Sequence, residues 1–329
     1  MEVGWRVLEV QGVLMPKLQY LVFLLLSFLC AFSRTEDLQK EDPQATTTVE
    51  SAQEEYKFLD NGKIRIGVKL SSGASIAWLS TGGAQQRNLL NHWDRGRLIQ
   101  QSYYGKKDGS MWGKNPWRWN PVQGGEYKGT GAKVIEVKSD ENQIYAKTLP
   151  KHWATGEDLK DVRMEEWISL NGNIAHVHFK MSYTGTESHP KCGHEIPATF
   201  VISQLPNLVF YEGNKPWTNE PLKRVLPGWP NEGHPINENW AAYVGEDDSG
   251  MGAYVPIASQ ITSYRYLVPN NADASCSYFA PVTEFAITPG RVFEYDLFLA
   301  IGKTDEIRES FKKIHDAKEK EIAPQVKSQ

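Results

Sequence analysis

One stretch of the chain, residues 88–128, mixes aromatic rings with carboxylate, amide and guanidinium side chains. An indole ring stacks on the apolar C–H face of a sugar, and planar polar groups pair with sugar hydroxyls, so this mixture favours saccharide binding. Arg95 or Arg97 would clamp the carboxylate or sulfate of an acidic sugar. The alternative is a Trp-rich core under a long loop, in which Asp94 and Arg97 form an internal ion pair. The binding residues expected in this stretch are Arg95, Arg97, Gln100, Gln101, Trp117, Trp119, Asn120 and Gln123.

Two kinds of cleavage chemistry are compatible with these side chains. Hydrolysis of a glycosidic bond needs two carboxyl groups flanking the bond, and Glu126 and Glu195 are the candidates, with Asp94 in reserve. Elimination on an acidic glycan needs a base and a group that holds the developing negative charge. The candidates for elimination are Tyr103 or His194 as the base, and Arg97, Gln100 or Gln123 as the stabilising group.

Two further segments contain candidate functional residues. His194 and Glu195 are adjacent where a strand is predicted to begin, so one side chain can face a cleft while the other turns away. The alternative is an exposed charged pair at a sheet edge. Residues 211–240 contain five prolines and three tryptophans, which predicts a long irregular loop or, on the alternative interpretation, a surface loop stiffened by proline. The tryptophans of this segment are Trp217 and Trp240, expected to bind substrate, and Trp229, a further platform.

Metal and nucleotide chemistry have little support. His176 and His178 alternate along a predicted strand, which puts both imidazoles on one face. Zinc takes three or four converging ligands, and the sequence has no HExxH or CxxC pattern. We therefore expect solvent-facing histidines, no metal and no other cofactor. GxSxG, P-loop and Rossmann GxGxxG patterns are also absent from the sequence.

The composition excludes some classes of partner. The 329 residues include 36 Lys and Arg against 40 Asp and Glu, a formal net charge of −4. This balance gives neither the basic excess of a nucleic-acid-binding protein nor a polybasic membrane surface. Apolar residues make up 40% of the chain, enough for a hydrophobic core, in one large all-β domain or two ordinary domains. There is no sustained heptad repeat, and the sequence leaves the oligomeric state open.

The local patterns are those of an all-β protein. Residues 63–70 alternate between apolar and polar with period two, as a half-buried strand does. Many further short strand patterns follow between Gly, Asn and Pro turns, which is typical of a sandwich or barrel. One helix is predicted near the C-terminus, capped by Thr304 and with Ile307, Phe311 and Ile314 on one face.

The N-terminus has the pattern of a secretory signal. Residues 21–32 form a short apolar run after Lys17, with small residues beyond it. This run of about a dozen residues is shorter than the roughly 20 that span a bilayer, so a membrane anchor is the alternative we favour less. Cys192 and Cys276 remain in the mature chain, as a disulfide or as two buried thiols. The expected organisation is a signal peptide at 1–33, a disordered linker at 34–54, a single β-sandwich domain at 55–322 and a tail at 323–329.

Residues 64–79 resemble the opening hairpin of galactose-mutarotase-like β-supersandwich domains, in which an early strand leads through a Gly-rich turn into a second strand. The later segments 91–104, 117–127 and 238–244 resemble secreted or periplasmic proteins found beside polysaccharide-degrading enzymes. The resemblance implies a supersandwich fold and a carbohydrate partner, and related domains occur in polysaccharide lyases and glycosidases. The mutarotase pattern of His, Pro and an aromatic residue is not present, because Lys191 follows His189-Pro190. The resemblance therefore implies a substrate class and not a reaction.

Together these observations predict a large antiparallel β-sandwich, supersandwich-like, with long Trp-rich loops and one C-terminal helix. The expected protein is secreted, has no membrane insertion after signal removal, and binds an oligosaccharide or polysaccharide in a groove lined by Trp, Tyr and Arg. It would cleave this glycan as a glycoside hydrolase or a polysaccharide lyase. The alternative is a non-catalytic, lectin-like domain that uses the same side chains without a catalytic acid.

Overall fold

A computed structural model describes residues 55–106 and 117–322 of the protein. The predicted signal peptide at 1–33, linker at 34–54 and tail at 323–329 lie outside the described residues. The strands of the described part are β1 Tyr56–Asp60, β2 Ile64–Lys69, β3 Ser75–Thr81, β4 Ile99–Ser102, β5 Pro121–Val122, β6 Lys133–Ser139, β7 Gln143–Leu149, β8 Lys151–His152, β9 Val162–Asn171, β10 Ile174–Tyr183, β11 His189–Ile202, β12 Asn207–Phe210, β13 Lys223–Val225, β14 Glu232–Pro235, β15 Trp240–Val244, β16 Ser249–Tyr254, β17 Gln260–Val268, β18 Asn271–Ile287 and β19 Val292–Lys303. A short 3-10 helix lies at Leu70–Ser72, and helix α1 spans Thr304–Ile322.

The strands form two large antiparallel sheets. In the front sheet the order is β1-β2-β3-β4-β11-β18-β17-β14, and β5 pairs with β4 and β8. In the back sheet the order is β13-β12-β15-β16-β19-β10-β9-β7-β6. The predicted all-β sandwich with one C-terminal helix is confirmed.

The main core lies between the sheets, because successive side chains of a strand point to opposite faces. In β10, Val177 and Phe179 are fully buried in this core, whereas His176 and His178 between them are partly exposed on the outer face. In β11 of the front sheet, Glu195 and, after an irregularity in the strand, Ala198 and Phe200 lie on the outer face. That outer face is where the cleft described below is found.

Helix α1 covers the outer face of the back sheet. As predicted, Ile307 and Phe311 are buried, and they pack against a second core cluster that includes Trp240. Gly252 in β16 permits this close packing, since a Cβ atom there would overlap Ile307. At the start of helix α1, the Glu306 carboxylate accepts a hydrogen bond from the Lys303 backbone N–H at 2.9 Å, which is one half of a capping box. No helix in the described part of the chain is long and apolar enough to cross a bilayer.

Two segments predicted to be irregular contain strands. Residues 88–128 hold β4, which lies in the middle of the front sheet and is buried at all four positions. A strand that is buried on both faces shows no apolar–polar alternation. In β4, the polar residues Gln100 and Gln101 also make the sequence unlike that of a buried strand. Residues 211–240 hold β13 and β14, whose lengths of three and four residues are too short for a period to be read. Cys192 and Cys276 are not joined by a disulfide.

Candidate functional site

A cleft of about 370 Å³ lies on the outer face of the front sheet, and we call it the Glu195 cleft. Its floor is formed by neighbouring strands, which bring Phe200, Tyr278 and Tyr264 side by side in one row. The ring centroids of Phe200 and Tyr278 are 4.6 Å apart, and those of Tyr278 and Tyr264 are 4.5 Å apart. The side chains around this floor are Gln100, Ser102, Tyr104, Trp117, Asn120, Trp153, Glu195, Trp229 and Asn231.

An irregularity in β11 decides which of its residues face the cleft. The pairing register of β11 with β18 shifts between Glu195 and Thr199, as in a β-bulge. Before the shift, Glu195 faces the cleft, and after it Ala198 and Phe200 do so. Strict alternation from Glu195 would have placed Thr199 there, but Thr199 is fully buried. The extra residue thus sets a carboxyl group beside an aromatic floor.

Glu195 is held in the cleft by hydroxyl groups. The Tyr278 hydroxyl donates to its Oε1 at 2.5 Å, and the Ser102 hydroxyl donates to the neighbouring Tyr104 hydroxyl at 3.2 Å. Burial raises the pKa of Glu195 above its ordinary value of 4.5, against the effect of these three nearby hydroxyls. Burial raises the pKa of Tyr104 and of Tyr278 well above 10, so both phenols stay protonated and remain donors. A carboxyl group with a raised pKa in a cleft is suited to proton transfer.

Aromatic rings form the walls of the cleft. The rings of Tyr104 and Trp117 lie against each other, with their centroids 4.7 Å apart. Trp229 is 63% exposed and presents its ring edge-on to Tyr264 at 4.9 Å. Exposed or half-exposed indoles beside hydroxyl and amide groups offer what a sugar ring needs, an apolar face to stack on and polar partners for its hydroxyls.

Two of the amide side chains that line the cleft, Gln100 and Asn120, are anchored to the protein backbone. Gln100 donates from Nε2 to the Arg95 carbonyl at 3.0 Å and accepts at Oε1 from the Gly124 N–H at 2.6 Å. Asn120 donates from Nδ2 to the Tyr103 carbonyl at 2.7 Å. These bonds fix the loops that build the cleft before any ligand arrives.

The structure brings four of the sequence-predicted residues together in this cleft: Glu195, Gln100, Trp117 and Asn120. The other two candidate carboxylates do not line it. Glu126 is buried and accepts a hydrogen bond from the Thr130 hydroxyl at 3.0 Å. Asp94 forms the internal ion pair with Arg97, at 3.2 Å, which was the alternative interpretation of that pair.

His194 and Tyr103 lie on the core side of the front sheet. His194 is fully buried; its Nδ1 accepts from the Tyr104 N–H, and its Nε2 donates to the Phe285 carbonyl, each at 3.1 Å. Burial lowers the pKa of His194 to about 4. The Tyr103 hydroxyl donates to Gln101 Oε1 at 2.9 Å, in the core. Both side chains therefore point away from the cleft and are bonded within the fold.

The remaining predicted polar residues stabilise the fold away from the cleft. Gln101 and Gln123 are buried between the sheets, where Gln101 donates to the Glu165 carbonyl at 3.1 Å and Gln123 donates to the Glu166 carboxyl at 3.0 Å. Arg95 ties together the backbone at Ser71 and Gly129. The Arg97 guanidinium donates to the Ala274 carbonyl. An arginine engaged in this way joins loops to strands.

The remaining predicted tryptophans belong to the core clusters or pack against them. Trp119 stacks on His189 with the ring centroids 4.0 Å apart. Trp240 is fully buried and donates from Nε1 to Glu238 at 2.9 Å. Trp217 stacks on His315 of helix α1 at 4.9 Å, so it lies at the helix-covered face of the back sheet.

Sequence reasoning missed several residues of the cleft: Tyr104, Trp153, Tyr264, Tyr278 and Asn231. Trp229, noted as a platform, does line the cleft. The floor tyrosines come from β17 and β18, whose neighbours in space cannot be read from a local pattern. Tyr104 lies within the 88–128 stretch and Asn231 within the 211–240 segment, both singled out in the sequence, whereas no local pattern pointed to the other three.

The histidine pair of β10 lies on the outer face of the back sheet, as expected from its spacing. His176 Nε2 and His178 Nδ1 lie 2.9 and 3.1 Å from the same oxygen of Asp296. Lys318 of helix α1 binds the other oxygen at 2.8 Å, and together these groups hold the pKa of Asp296 well below its ordinary value. Within the described residues, no three His, Cys, Asp or Glu side chains converge as ligands for a metal ion.

Comparison with solved structures identifies the architecture. A protein from Escherichia coli K12, provisionally assigned as an aldose 1-epimerase, superimposes with a TM-score of 0.50 at 10% identity, over 75% of this chain and 99% of its own. A galactose mutarotase related enzyme from Lactobacillus acidophilus gives a TM-score of 0.50 at 10% identity, over 76% of this chain and 98% of its own. The chain has a galactose-mutarotase-like fold.

The mutarotase-like fold agrees with the resemblance seen in the sequence, which is confirmed at the level of the fold. No family model matches the sequence. No curated protein is significantly similar to it. At 10% identity the neighbours establish the fold alone, so function has to be argued from the cleft itself.

Proposed function

We propose that this protein binds a carbohydrate in the Glu195 cleft and that Glu195 is the general acid–base group that acts on it. One observation carries the proposal: a carboxyl group with a raised pKa stands beside a floor and walls of aromatic rings. Aromatic faces suit the C–H face of a sugar, and the carboxyl suits proton transfer to its oxygen atoms. The names of the two structural neighbours, a provisionally assigned aldose 1-epimerase and a galactose mutarotase related enzyme, also refer to sugars.

The residues of the cleft favour chemistry with one acid–base group. Among the described residues that line it, Glu195 is the only carboxylate, whereas hydrolysis by two carboxyl groups requires a second one about 5 to 9.5 Å away. None of these lining residues is Arg or Lys. Elimination on an acidic glycan would therefore rely on the amides of Gln100, Asn120 and Asn231 to hold negative charge. A neutral sugar fits this set of side chains better than an acidic one.

A lectin-like function is the second candidate, and a separate observation favours it. Glu195, Gln100 and Asn120 already form hydrogen bonds inside the protein. Side chains that are fixed before binding lower the entropic cost of holding a ligand. A site of this kind can bind a sugar without transforming it.

The deciding experiment compares wild type with Glu195→Gln on a panel of neutral, uronic and sulfated glycans. Binding is measured by calorimetry, and turnover by new reducing ends, by absorbance of unsaturated uronates and by equilibration of sugar anomers. Because general acid–base catalysis contributes about 10²–10⁴-fold, we expect Glu195→Gln to lower kcat by that factor and to keep the affinity within a few-fold. Glu284→Gln is the matched control, because Glu284 is an exposed carboxylate of β18, opposite Gly193, that does not line the cleft.

Each result has a definite meaning. Reducing ends alone indicate hydrolysis, reducing ends with unsaturated products indicate elimination, and faster anomer equilibration indicates epimerisation. Binding without any turnover supports the lectin-like function. A wild-type protein that binds no member of the panel, or a Glu195→Gln variant with unchanged kcat, contradicts the proposal.

We also propose that the protein is exported. The support is the apolar run at 21–32, which is of signal-peptide length. Expression of the full chain in a secretion-competent cell, followed by N-terminal sequencing of the protein in the medium, tests this: we expect a start near residue 34. Retention of the uncleaved chain in the cell would contradict it.

A further inference from the structure

A second cavity, of about 450 Å³, lies beside the C-terminal end of β11 in the front sheet. We call it the Trp93 cavity. The loop after β3 contributes Asn91 and Trp93 to it, the end of β11 and the turn after it contribute Ile202 and Gln204, and the start of β18 contributes Asp273. Nothing in the proposed acid–base chemistry uses these residues.

The two cavities follow one another along the same strand. Ala198 and Phe200 of β11 line the Glu195 cleft, and Ile202 and Gln204 line the Trp93 cavity. Val201, between Phe200 and Ile202, is buried in the main core, so alternation places Phe200 and Ile202 on the outer face. Since a strand rises about 3.3 Å per residue, the distance from Glu195 to Ile202 is on the order of 20 Å. That is longer than any single sugar ring and suits a chain of several.

An aromatic surface connects the two cavities. The row that contains Phe200 is followed, two residues further along each strand, by the row Ile202, Cys276 and Tyr266. Trp229 touches both rows, with its ring 4.9 Å from Tyr264 and 5.6 Å from Tyr266. Arg97 lies over the Tyr266 ring at 5.7 Å. The exposed rings between the cavities are therefore Trp229 and Tyr266, whereas Cys276 is buried beneath them.

Trp93 is exposed, yet the loop that carries it is tied to the sheet. Its side chain is 54% exposed. The neighbouring Asn91 is buried and accepts from the Trp93 N–H at 3.2 Å. Asn91 also donates from Nδ2 to the carbonyls of Asp273 and Ser275, at 2.9 and 2.8 Å, and from its backbone N–H to the Phe200 carbonyl at 3.0 Å. An indole held out into water on an anchored loop forfeits burial energy and gains a fixed orientation, as expected for a binding platform.

We propose that the Trp93 cavity is a second sugar-binding subsite and that the ligand is a linear oligosaccharide spanning both cavities. The inference rests on the proposed carbohydrate binding at Glu195 and adds the length of the ligand. One sugar residue occupies the Glu195 cleft, the chain crosses the surface formed by Trp229 and Tyr266, and a further residue stacks on Trp93. Gln204 and Asp273 provide amide and carboxylate groups for its hydroxyls.

The test measures affinity against chain length. Calorimetry is performed with cello-, malto- and hyaluronan oligosaccharides, each from the shortest available member to the hexasaccharide or longer, on wild type and on Trp93→Ala. We expect wild-type affinity to increase with length until both cavities are filled. Trp93→Ala should lose on the order of tenfold in affinity for the longest chains and keep its affinity for the mono- and disaccharides. Trp93→Phe, which retains a ring, should recover part of the loss.

The control is Trp167→Ala, since Trp167 lies on the other sheet, beside Tyr145 and His178. It removes an indole without touching either cavity, and we expect unchanged binding at every length. Affinity that does not depend on length, or a Trp93→Ala variant that binds long chains like wild type, overturns the inference and leaves the Glu195 cleft as the sugar site. If no glycan of any length binds, the proposed function fails as well, so the two failures are distinguishable.

Discussion

Glu166 is a carboxyl group enclosed between the two sheets. It lies on β9 and is fully buried, and Gln123 Nε2 donates to its Oε2 at 3.0 Å. Its Oε1 and the hydroxyl of Tyr295 have no hydrogen-bond partner among the described residues. Burial raises the pKa of Glu166 from 4.5 to about 8, although the bond from Gln123 works in the opposite direction. In the folded protein this carboxyl group is therefore neutral at pH 7.

The raised pKa makes folding stability depend on pH. In the unfolded chain Glu166 loses its proton near pH 4.5, and in the folded protein near pH 8. Between these values unfolding releases a proton, so the free energy of unfolding falls as the pH rises, by up to about 1.4 kcal/mol per pH unit. The stability associated with the neutral carboxyl is complete below pH 4.5 and is lost as the pH rises through about 8. The whole change amounts to about 5 kcal/mol at most.

The substitution Glu166→Gln removes this titration. Glutamine has the shape of the protonated carboxyl group, and its amide oxygen can accept the hydrogen bond from Gln123. We expect wild type and variant to be similarly stable near pH 5, and the variant to be more stable by several kcal/mol near pH 9. Urea unfolding followed by tryptophan fluorescence, at pH values across this range, measures the difference.

Glu141→Gln is the control, because Glu141 is an exposed carboxylate in the turn between β6 and β7. Its curve of stability against pH should follow that of wild type. If the curve of Glu166→Gln also runs parallel to wild type, Glu166 is ionised in the folded protein and the reasoning from burial is refuted.

Two further predictions concern helix α1 and the wall of the cleft. Arg308→Ala should lower the free energy of unfolding by about 3–5 kcal/mol, because Arg308 pairs with the fully buried carboxylate of Glu238 at 2.6 Å. Lys313→Ala on the same helix is the exposed control. A loss below about 1 kcal/mol in Arg308→Ala would contradict the prediction. Gly96→Ala should weaken carbohydrate binding more than it weakens folding, because its Cβ would overlap the Trp153 indole that lines the cleft. Gly233→Ala, where the nearest atom is 3.9 Å away, should leave calorimetric affinity unchanged, and equal affinities in both variants would refute the role given to Trp153.

Local patterns in the sequence predicted elements whose two faces differ. Residues 63–70 alternate in the sequence, and β2 lies there with one face in the core. Helix α1 followed from the apolar spacing that includes Ile307 and Phe311, both of which are buried. The central strand β4 did not follow, because a strand covered on both faces has no periodic signal and this one carries two glutamines. The apolar–polar pattern shows which face of an element is exposed to solvent, and it gives no signal where both faces are buried.

Residue type alone did not predict whether a side chain lies in the cleft or in the core. Trp117 and Trp119 are two residues apart, yet Trp117 lines the Glu195 cleft and Trp119 stacks on His189. His194 and Glu195 are neighbours, and strand alternation sends one into the core and the other into the cleft, as their adjacency suggested. Which of the two faces the cleft depends on which face of β11 packs against the back sheet.

The fold class, the position of the terminal helix and one region rich in aromatic and polar side chains could be predicted from local patterns. These properties are encoded locally, in the spacing of apolar residues and in turn chemistry. The candidate site depends on tertiary packing, because its floor is a row of rings from β11, β17 and β18, and a register shift in β11 places Phe200 on the same face as the Glu195 carboxyl group. Which side chains share a cleft depends on contacts between strands that are distant in sequence and on a register shift of one residue. Neither of these can be read from the residues next to them in the chain.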